Sequence, residues 1–232
     1  IKQIAQWSGV SRGTVDRVLN HRGRVDPEVA RRVEQIAEEL GYLTHCPTNL
    51  GTGLRISVMM FLPALTATGR IKSIQSQLSK IGLTVRGTTG EGSAAKGCLY
   101  QFSNCITQGA TEEEILNNLR QATGTIAQAE RETRQQLLEN NEDLLRDRVM
   151  RALGTMRSAY MMDTEELYRL YADVRMGIAM GLCKSITYPQ LDTLLIQCMP
   201  ATLSAKAEEP LSAPQRDKLR AEQLRTSTQQ FG

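Results

Sequence analysis

Two short segments hold residue types that could handle phosphate. In Cys46–Arg55, CPTNLGTGLR, a cysteine stands directly before a proline in a polar, glycine-rich loop. Such a cysteine is fixed in conformation and exposed enough to do chemistry. Arg55 then opens an apolar run, ISVMMFL. In the second segment, Arg86 closes an apolar run and leads into Gly87-Thr88-Thr89-Gly90-Glu91-Gly92, so one arginine and one carboxylate share a flexible loop. Arginines at strand ends beside glycine-rich loops suit phosphate clamping, because the planar guanidinium fork matches phosphate oxygens. The chain has no GxxxxGK[ST] phosphate loop and no HRD or DFG motif.

A third group lies near the N-terminus. Ser11, Arg12, Gly13, Thr14, Arg17 and Asn20 follow a Gly9-Val10 break. Arginine bonds guanine edges in bidentate fashion, whereas short polar groups suit the phosphate backbone. Five basic residues and one acidic residue fall in the first 24 positions. The net charge of the whole chain is only +3, too little to make all of it a nucleic-acid binder.

The elements that must hold these groups follow from periodicity and punctuation. Lys2–Trp7, Arg12–Leu19 and a helix opened by Asp26-Pro27-Glu28 and stopped by Gly41 read as three short helices. Ile56–Leu62, Leu83–Arg86 and Leu99–Ser103 read as strands, with a helix over Thr68–Ile81. From Glu112 onward the pattern is helical: Glu112–Arg151 with a break near Asn140, then Arg151–Ala159, Thr164–Met180 and Tyr188–Leu195. The tail from Ala205 is charged and partly helical.

With 41% hydrophobic and 23% charged residues, the composition is that of a globular chain. No apolar run approaches a membrane span. The five cysteines are widely spaced, without CxxC or Cys/His ligand spacing, so neither a structural metal nor disulfides are expected and a cytoplasmic setting is.

The stretch IAQWSGVSRGTVDRVLNHRGRVDPEVARRVEQIAEELGY closely resembles the DNA-binding headpiece of LacI-type repressors, including GVS, TV-RVLN, RV-P and ELGY. The resemblance implies a helix-turn-helix module over residues 1–42. Its second helix would enter the major groove, with Ser11, Arg12, Gly13, Thr14, Arg17 and Asn20 contacting double-stranded DNA. The hinge and sugar-binding-type effector domain that follow such headpieces have no counterpart after Tyr42.

Residues 43–232 resemble the ATP:guanidino phosphotransferases, most closely the bacterial protein-arginine kinases. The resemblance rests on CPTNLGTGLR, RISVM followed by LPAL, GLTVRGTTGEGS, YQFSN, EEEILNNL, RDRVMRALG, ADVRMGIAMG and RDKLRA, which occur in family order. It implies ATP with Mg2+ bound by Arg55, Ile56, Ser57, Val58 and Met59 and by Arg86, Gly87, Thr88, Thr89, Gly90 and Glu91. It places Cys46 beside the substrate guanidinium and makes Glu91 a carboxylate that orients and deprotonates it. Arg216, Asp217, Arg220 and Ala221 match the family's RDxxRA motif, an allosteric phosphoarginine pocket. Arg216 and Arg220 lie four apart, so one helical face would present both guanidinium groups beside Asp217. Phe61 and Thr88-Thr89 depart from the family's usual residues.

The expectation is therefore an α+β chain. A small three-helix module (1–42) precedes a partial guanidino-kinase catalytic region (43–232), with a mainly antiparallel sheet and a large helical C-terminal part. The family's upstream phosphate-binding arginines and second guanidinium-holding carboxylate have no match here, so transfer to protein arginine is expected to be catalytically incomplete. The competing expectation is a DNA-binding regulator whose kinase-derived part dimerises or senses phosphoarginine. Either way the expected partners are DNA, protein arginine or phosphoarginine, and a second copy of the chain, with no membrane.

Overall fold

The computed structural model describes residues 2–41, 51–87, 95–107, 109–207 and 210–229. They divide into two compact units. One comprises Ile1–Val58, Gln75–Val85 and Phe102–Gly124; the other comprises Met59–Ile74, Arg86–Gln101 and Thr125–Gly232.

In the first unit, short polar side chains and a proline set the boundaries of three helices: α1 (Lys2–Ser8), α2 (Arg12–Leu19) and α3 (Pro27–Leu40). The Ser11 hydroxyl caps α2 by accepting the Thr14 amide at 3.1 Å. The Asp26 carboxylate caps α3 by accepting the Glu28 amide at 2.9 Å and the Val29 amide at 3.3 Å. These satisfy donors that a helix start leaves without partners. Ile4, Ala5, Val15, Val18 and Val33 form the buried core between the three helices. Gly41 ends α3 at φ 67°, and a Cβ there would run into the backbone carbonyl of Gly51, so only glycine fits.

The strands are β1 (Ser57–Phe61), β2 (Leu83–Gly87) and β3 (Leu99–Asn104), in the order β1-β3-β2. At one end of the β1–β3 pair the Leu62 amide bonds the Cys98 carbonyl at 2.9 Å; at the other the Ile56 amide bonds the Asn104 side chain. Likewise the Cys105 amide bonds the Gly82 carbonyl at 2.9 Å, beside the start of β2. Both pairs are therefore antiparallel, as expected from the sequence.

The helix predicted over Thr68–Ile81 is found as α5 (Ile71–Lys80), starting three residues later, and a short helix that was not predicted, α4 (Pro63–Ala67), precedes it. Pro63 starts the first, and Gly69, at φ 71°, separates them. The α4 start is capped at a distance: Glu130, buried at 2% exposure, accepts the Ala64 amide at 3.1 Å and the Leu65 amide at 2.9 Å.

Helix α6 (Glu112–Ser158) opens with a capping box in which Thr111 and Glu114 bond each other's amides. The predicted break falls at Asn141, where φ is −145°, but the helix runs on to Ser158 with no second start at Arg151. Helices α7 (Thr164–Ala179), α8 (Tyr188–Gln197), α9 (Pro200–Ala205) and α10 (Ala213–Thr228) complete the second unit. Val149, Met156, Met162, Leu167, Val174, Leu191, Leu194 and Leu224 belong to its core. A Cβ at Gly177 would strike the Val149 side chain, so this glycine lets α7 lie close against α6. Among the described residues no helix is long and apolar enough to cross a membrane.

Candidate functional site

Arg55 is exposed just ahead of β1, and a buried asparagine holds the backbone on both sides of it. Asn104, 6% exposed, donates from Nδ2 to the Leu54 carbonyl at 2.8 Å and accepts the Ile56 amide at 2.9 Å. Ser57, Val58 and Met59 follow along β1, all exposed. The result is an exposed strand with a guanidinium at its head, a group whose planar fork can pair with anionic oxygens. Arg86 is half-buried in β2 and Gly87 is buried beside it. Arg55 belongs to the first unit and Arg86 to the second. Cys46, Thr88, Thr89, Gly90 and Glu91 lie outside the described residues.

Past the Arg86 loop, the second unit holds a cavity of about 670 Å³ lined by Thr66, Lys96, Cys98, Arg148, Tyr168 and Asp173, among others. Asp173, 7% exposed, pairs with Arg148 at 2.7 Å. Burial pushes the Cys98 thiol up from its ordinary range, and a hydrogen bond with Thr66 only partly offsets this. Burial thus disfavours the thiolate, the nucleophilic form, at Cys98. Among the described residues no group of three or more His, Cys, Asp or Glu side chains could hold a metal ion.

Sequence reasoning overlooked a cluster beyond the end of β1. The Arg175 guanidinium sits 5.3 Å from the Phe61 ring centre, 5.7 Å from that of Tyr171 and 4.9 Å from that of Tyr188. It donates to the Tyr171 hydroxyl at 2.9 Å and pairs with Asp192. The Tyr171 hydroxyl in turn donates to Asp192 at 2.7 Å. Burial, then the bond to Asp192, pushes the Tyr171 hydroxyl well above its ordinary pKa. Nothing in sequence spacing joins residues 61 and 175; the one usable signal was Phe61, which departs from the pattern the sequence resembles.

The tail motif differs from its expected arrangement. Arg220 does not share an open face with Arg216: it is 1% exposed. Its Nε donates to the Cys198 carbonyl at 3.0 Å. Its Nη1 donates to the Met162 carbonyl at 2.7 Å and to Asp217 at 2.7 Å. The reason is that α10 packs its Arg220–Ala221 face inward, with Ala221 and Leu224 in the core. Arg216 is half-buried and donates to the Leu211 carbonyl at 2.6 Å.

On α2, Arg12, Gly13 and Arg17 are exposed opposite buried Val15 and Val18, and Asn20 is exposed just after its end. Arg17 Nε donates to the Gly13 carbonyl at 3.1 Å, and Asn20 bonds the Asp16 side chain at 2.8 Å. Ser11 is committed to its cap, and the Thr14 hydroxyl bonds Ser11 at 3.0 Å.

Comparison with known proteins places the chain. The ATP:guanido phosphotransferase C-terminal catalytic domain matches residues 7–133, so the chain belongs to that family. The match begins at Trp7, inside the segment expected to form a DNA-binding module. The C-terminal domain of the protein-arginine kinase McsB matches residues 142–232. The chain is 43% identical over 188 residues to the protein-arginine kinase of Clostridium kluyveri, covering 81% of this chain and 54% of that protein. It is 44% identical over 190 residues to that of Halothermothrix orenii, covering 82% and 54%. With the protein-arginine kinase of Symbiobacterium thermophilum it shares 42% over 203 residues, covering 87% and 58%. The chain thus spans about half the length of the curated relatives it matches.

Proposed function

We propose that this chain carries the nucleotide-binding catalytic part of an enzyme that transfers the γ-phosphoryl group of Mg-ATP to arginine side chains of proteins. The observation that carries the reading is the ledge from Arg55 to Met59, an exposed guanidinium and an exposed strand held by Asn104, in a chain related to protein-arginine kinases. In this reading Arg55 and Arg86 neutralise phosphate oxygens, and Ile56, Ser57, Val58 and Met59 with Gly87, Thr88, Thr89 and Gly90 bed the nucleotide. Phosphoryl transfer is mainly positioning and neutralisation of spreading negative charge, which suits such a site. By the family resemblance Cys46 would serve the substrate guanidinium, and Glu91 would orient it and take its proton. Arg216 and Asp217 face phosphoarginine, with Arg220 and Ala221 as the buried frame behind them. The enzyme works in the cytoplasm as a homodimer.

Mass-spectrometric detection of phosphoarginine on an arginine-rich protein incubated with Mg-ATP tests this reading. For the 232-residue chain the expected outcome is nucleotide binding with little or no transfer. Loss of even one preorganised charge-stabilising donor can cost roughly 10²–10³ in rate. Robust transfer abolished by Glu91→Gln would show a complete site in this chain. Absence of nucleotide binding would sink the reading.

A second reading is favoured by α2, whose exposed Arg12 and Arg17 stand opposite a buried Val15–Val18 face. It makes residues 1–42 a DNA-binding module, with Arg12 and Arg17 on base edges and Ser11, Gly13, Thr14 and Asn20 near phosphates. In that case the kinase-derived part serves to dimerise or to sense phosphoarginine.

A further inference from the structure

Strand β1 is held at both ends, and the exposed stretch lies between the two holds. At its start Asn104 brackets Arg55 through the Leu54 carbonyl and the Ile56 amide. At its end the Phe61 ring meets the Tyr171 ring in a T-shaped contact, with centroids 6.5 Å apart, and lies near the Arg175 guanidinium. Leu62, 1% exposed, then bonds Cys98. The first hold is a neutral amide clamp. The second is a cage of three aromatic rings and one carboxylate around a single cation, and removing that cation takes away the group that all four share.

The cage is more than a surface ion pair. The Arg175 side chain is 22% exposed, so its attraction to the rings is partly shielded from water and correspondingly strong. Its Nη1 bonds both the Tyr171 hydroxyl and the Asp192 carboxylate, which anchors that end of the guanidinium. Phe61 and Tyr171 are joined by their ring contact and by the cation they share. Tyr188 sits at the first turn of α8, so the same cation also ties that helix to β1.

We propose that Arg175 is a positioning residue for nucleotide binding. By gripping Phe61 it fixes the C-terminal end of β1 and so sets the register in which Ser57–Met59 meet the nucleotide. The proposal rests on the reading that this ledge binds ATP. Arg175 itself touches no substrate in this account and acts through Phe61.

The test uses the full chain, a fluorescent ADP analogue with Mg2+, thermal melting and amide hydrogen exchange. Arg175→Met keeps the chain length and removes the charge. It is expected to weaken ADP-analogue affinity about tenfold, the scale of one desolvated cation–π contact. Exchange at the Met59–Leu62 amides should quicken while the α6 amides stay protected. Arg175→Lys keeps a cation and should recover part of the affinity, which a loss of packing volume alone would not do. In Arg175→Ala, millimolar methylguanidinium should restore affinity toward the parent value and leave the parent chain unaffected. If the parent chain binds the analogue and Arg175→Met binds it equally well, the proposal is overturned while the nucleotide reading stands. If the parent chain does not bind at all, the nucleotide reading fails and takes this proposal with it.

Discussion

Replacing Arg220 by alanine should be among the most damaging single changes in the second unit. Arg220 is 1% exposed and supplies three bonds, to the carbonyls of Cys198 and Met162 and to the Asp217 carboxylate. Truncation leaves two buried carbonyls without their donor, each costing roughly 1–3 kcal/mol. It also strips a buried ion pair of one partner, a class of change that costs about 3–5 kcal/mol. These terms overlap, because one side chain makes all three bonds, and the Asp217 side chain is 26% exposed, so water takes up part of its loss. A net destabilisation of about 4 kcal/mol follows. Arg220→Lys reaches fewer acceptors and should lose about half as much; Asp217→Asn should lose about 1 kcal/mol. Urea unfolding followed by far-ultraviolet circular dichroism measures all three, urea being chosen because guanidinium would compete for the same acceptors. If Arg220→Ala unfolds within about 0.5 kcal/mol of the parent, Arg220 is a solvated surface residue. The arrangement drawn from the sequence, with Arg216 and Arg220 side by side on an open face, would then be the right one.

Glu130→Ala should cost about 3 kcal/mol, because it leaves the Ala64 and Leu65 amides buried without an acceptor; Glu130→Gln, which keeps one acceptor, should cost less. Burial pushes the Cys198 thiol up to about 11 from an ordinary 9.0, with Arg220 and Lys206 opposing the shift. A raised folded-state pKa means that this contribution is complete below pH 9 and is lost as the pH rises toward 11. Thermal melts at pH 8 to 11 should therefore fall less steeply for Cys198→Ala than for the parent, and parallel curves would refute this. If residues 1–42 bind DNA, Arg17→Ala should weaken binding to a selected site by roughly 1–3 kcal/mol with little change in melting temperature. An unchanged gel-shift affinity would show that α2 does not read bases.

What could be read from the sequence was local. Asp26-Pro27 announces the start of α3 because the Asp26 carboxylate bonds amides two and three residues on, and Pro27 fixes its own φ at a helical value. The strands were legible because alternation and glycine punctuation report on neighbouring residues. The break near Asn140 was legible too, as Asn141 is the non-helical residue within α6. What stayed hidden depends on distant partners. Arg220 sits in a charged tail helix whose pattern says solvent. It is buried because the carbonyls of Cys198 and Met162, 22 and 58 residues away, face it. The Arg175 cage draws on residues 61, 171, 188 and 192, and no periodicity connects them. Gly69, which delays the start of α5 to Ile71, was visible as a glycine, but its positive φ was not. For the candidate site, residue types and order were legible at Arg55 and Arg86. The asparagine that brackets Arg55 was not, because Asn104 lies 48 residues from Ile56 in sequence.

Nucleotide affinity tests the central claim most directly. Mg-ATP titrated by isothermal calorimetry into the parent chain, Arg55→Ala and Arg86→Ala separates a family member that uses its ledge from one that does not. The account predicts saturable binding by the parent and a loss of about tenfold or more in each variant, the scale of one charge-assisted phosphate contact. Absence of binding by the folded parent chain, or equal binding by all three proteins, would contradict it.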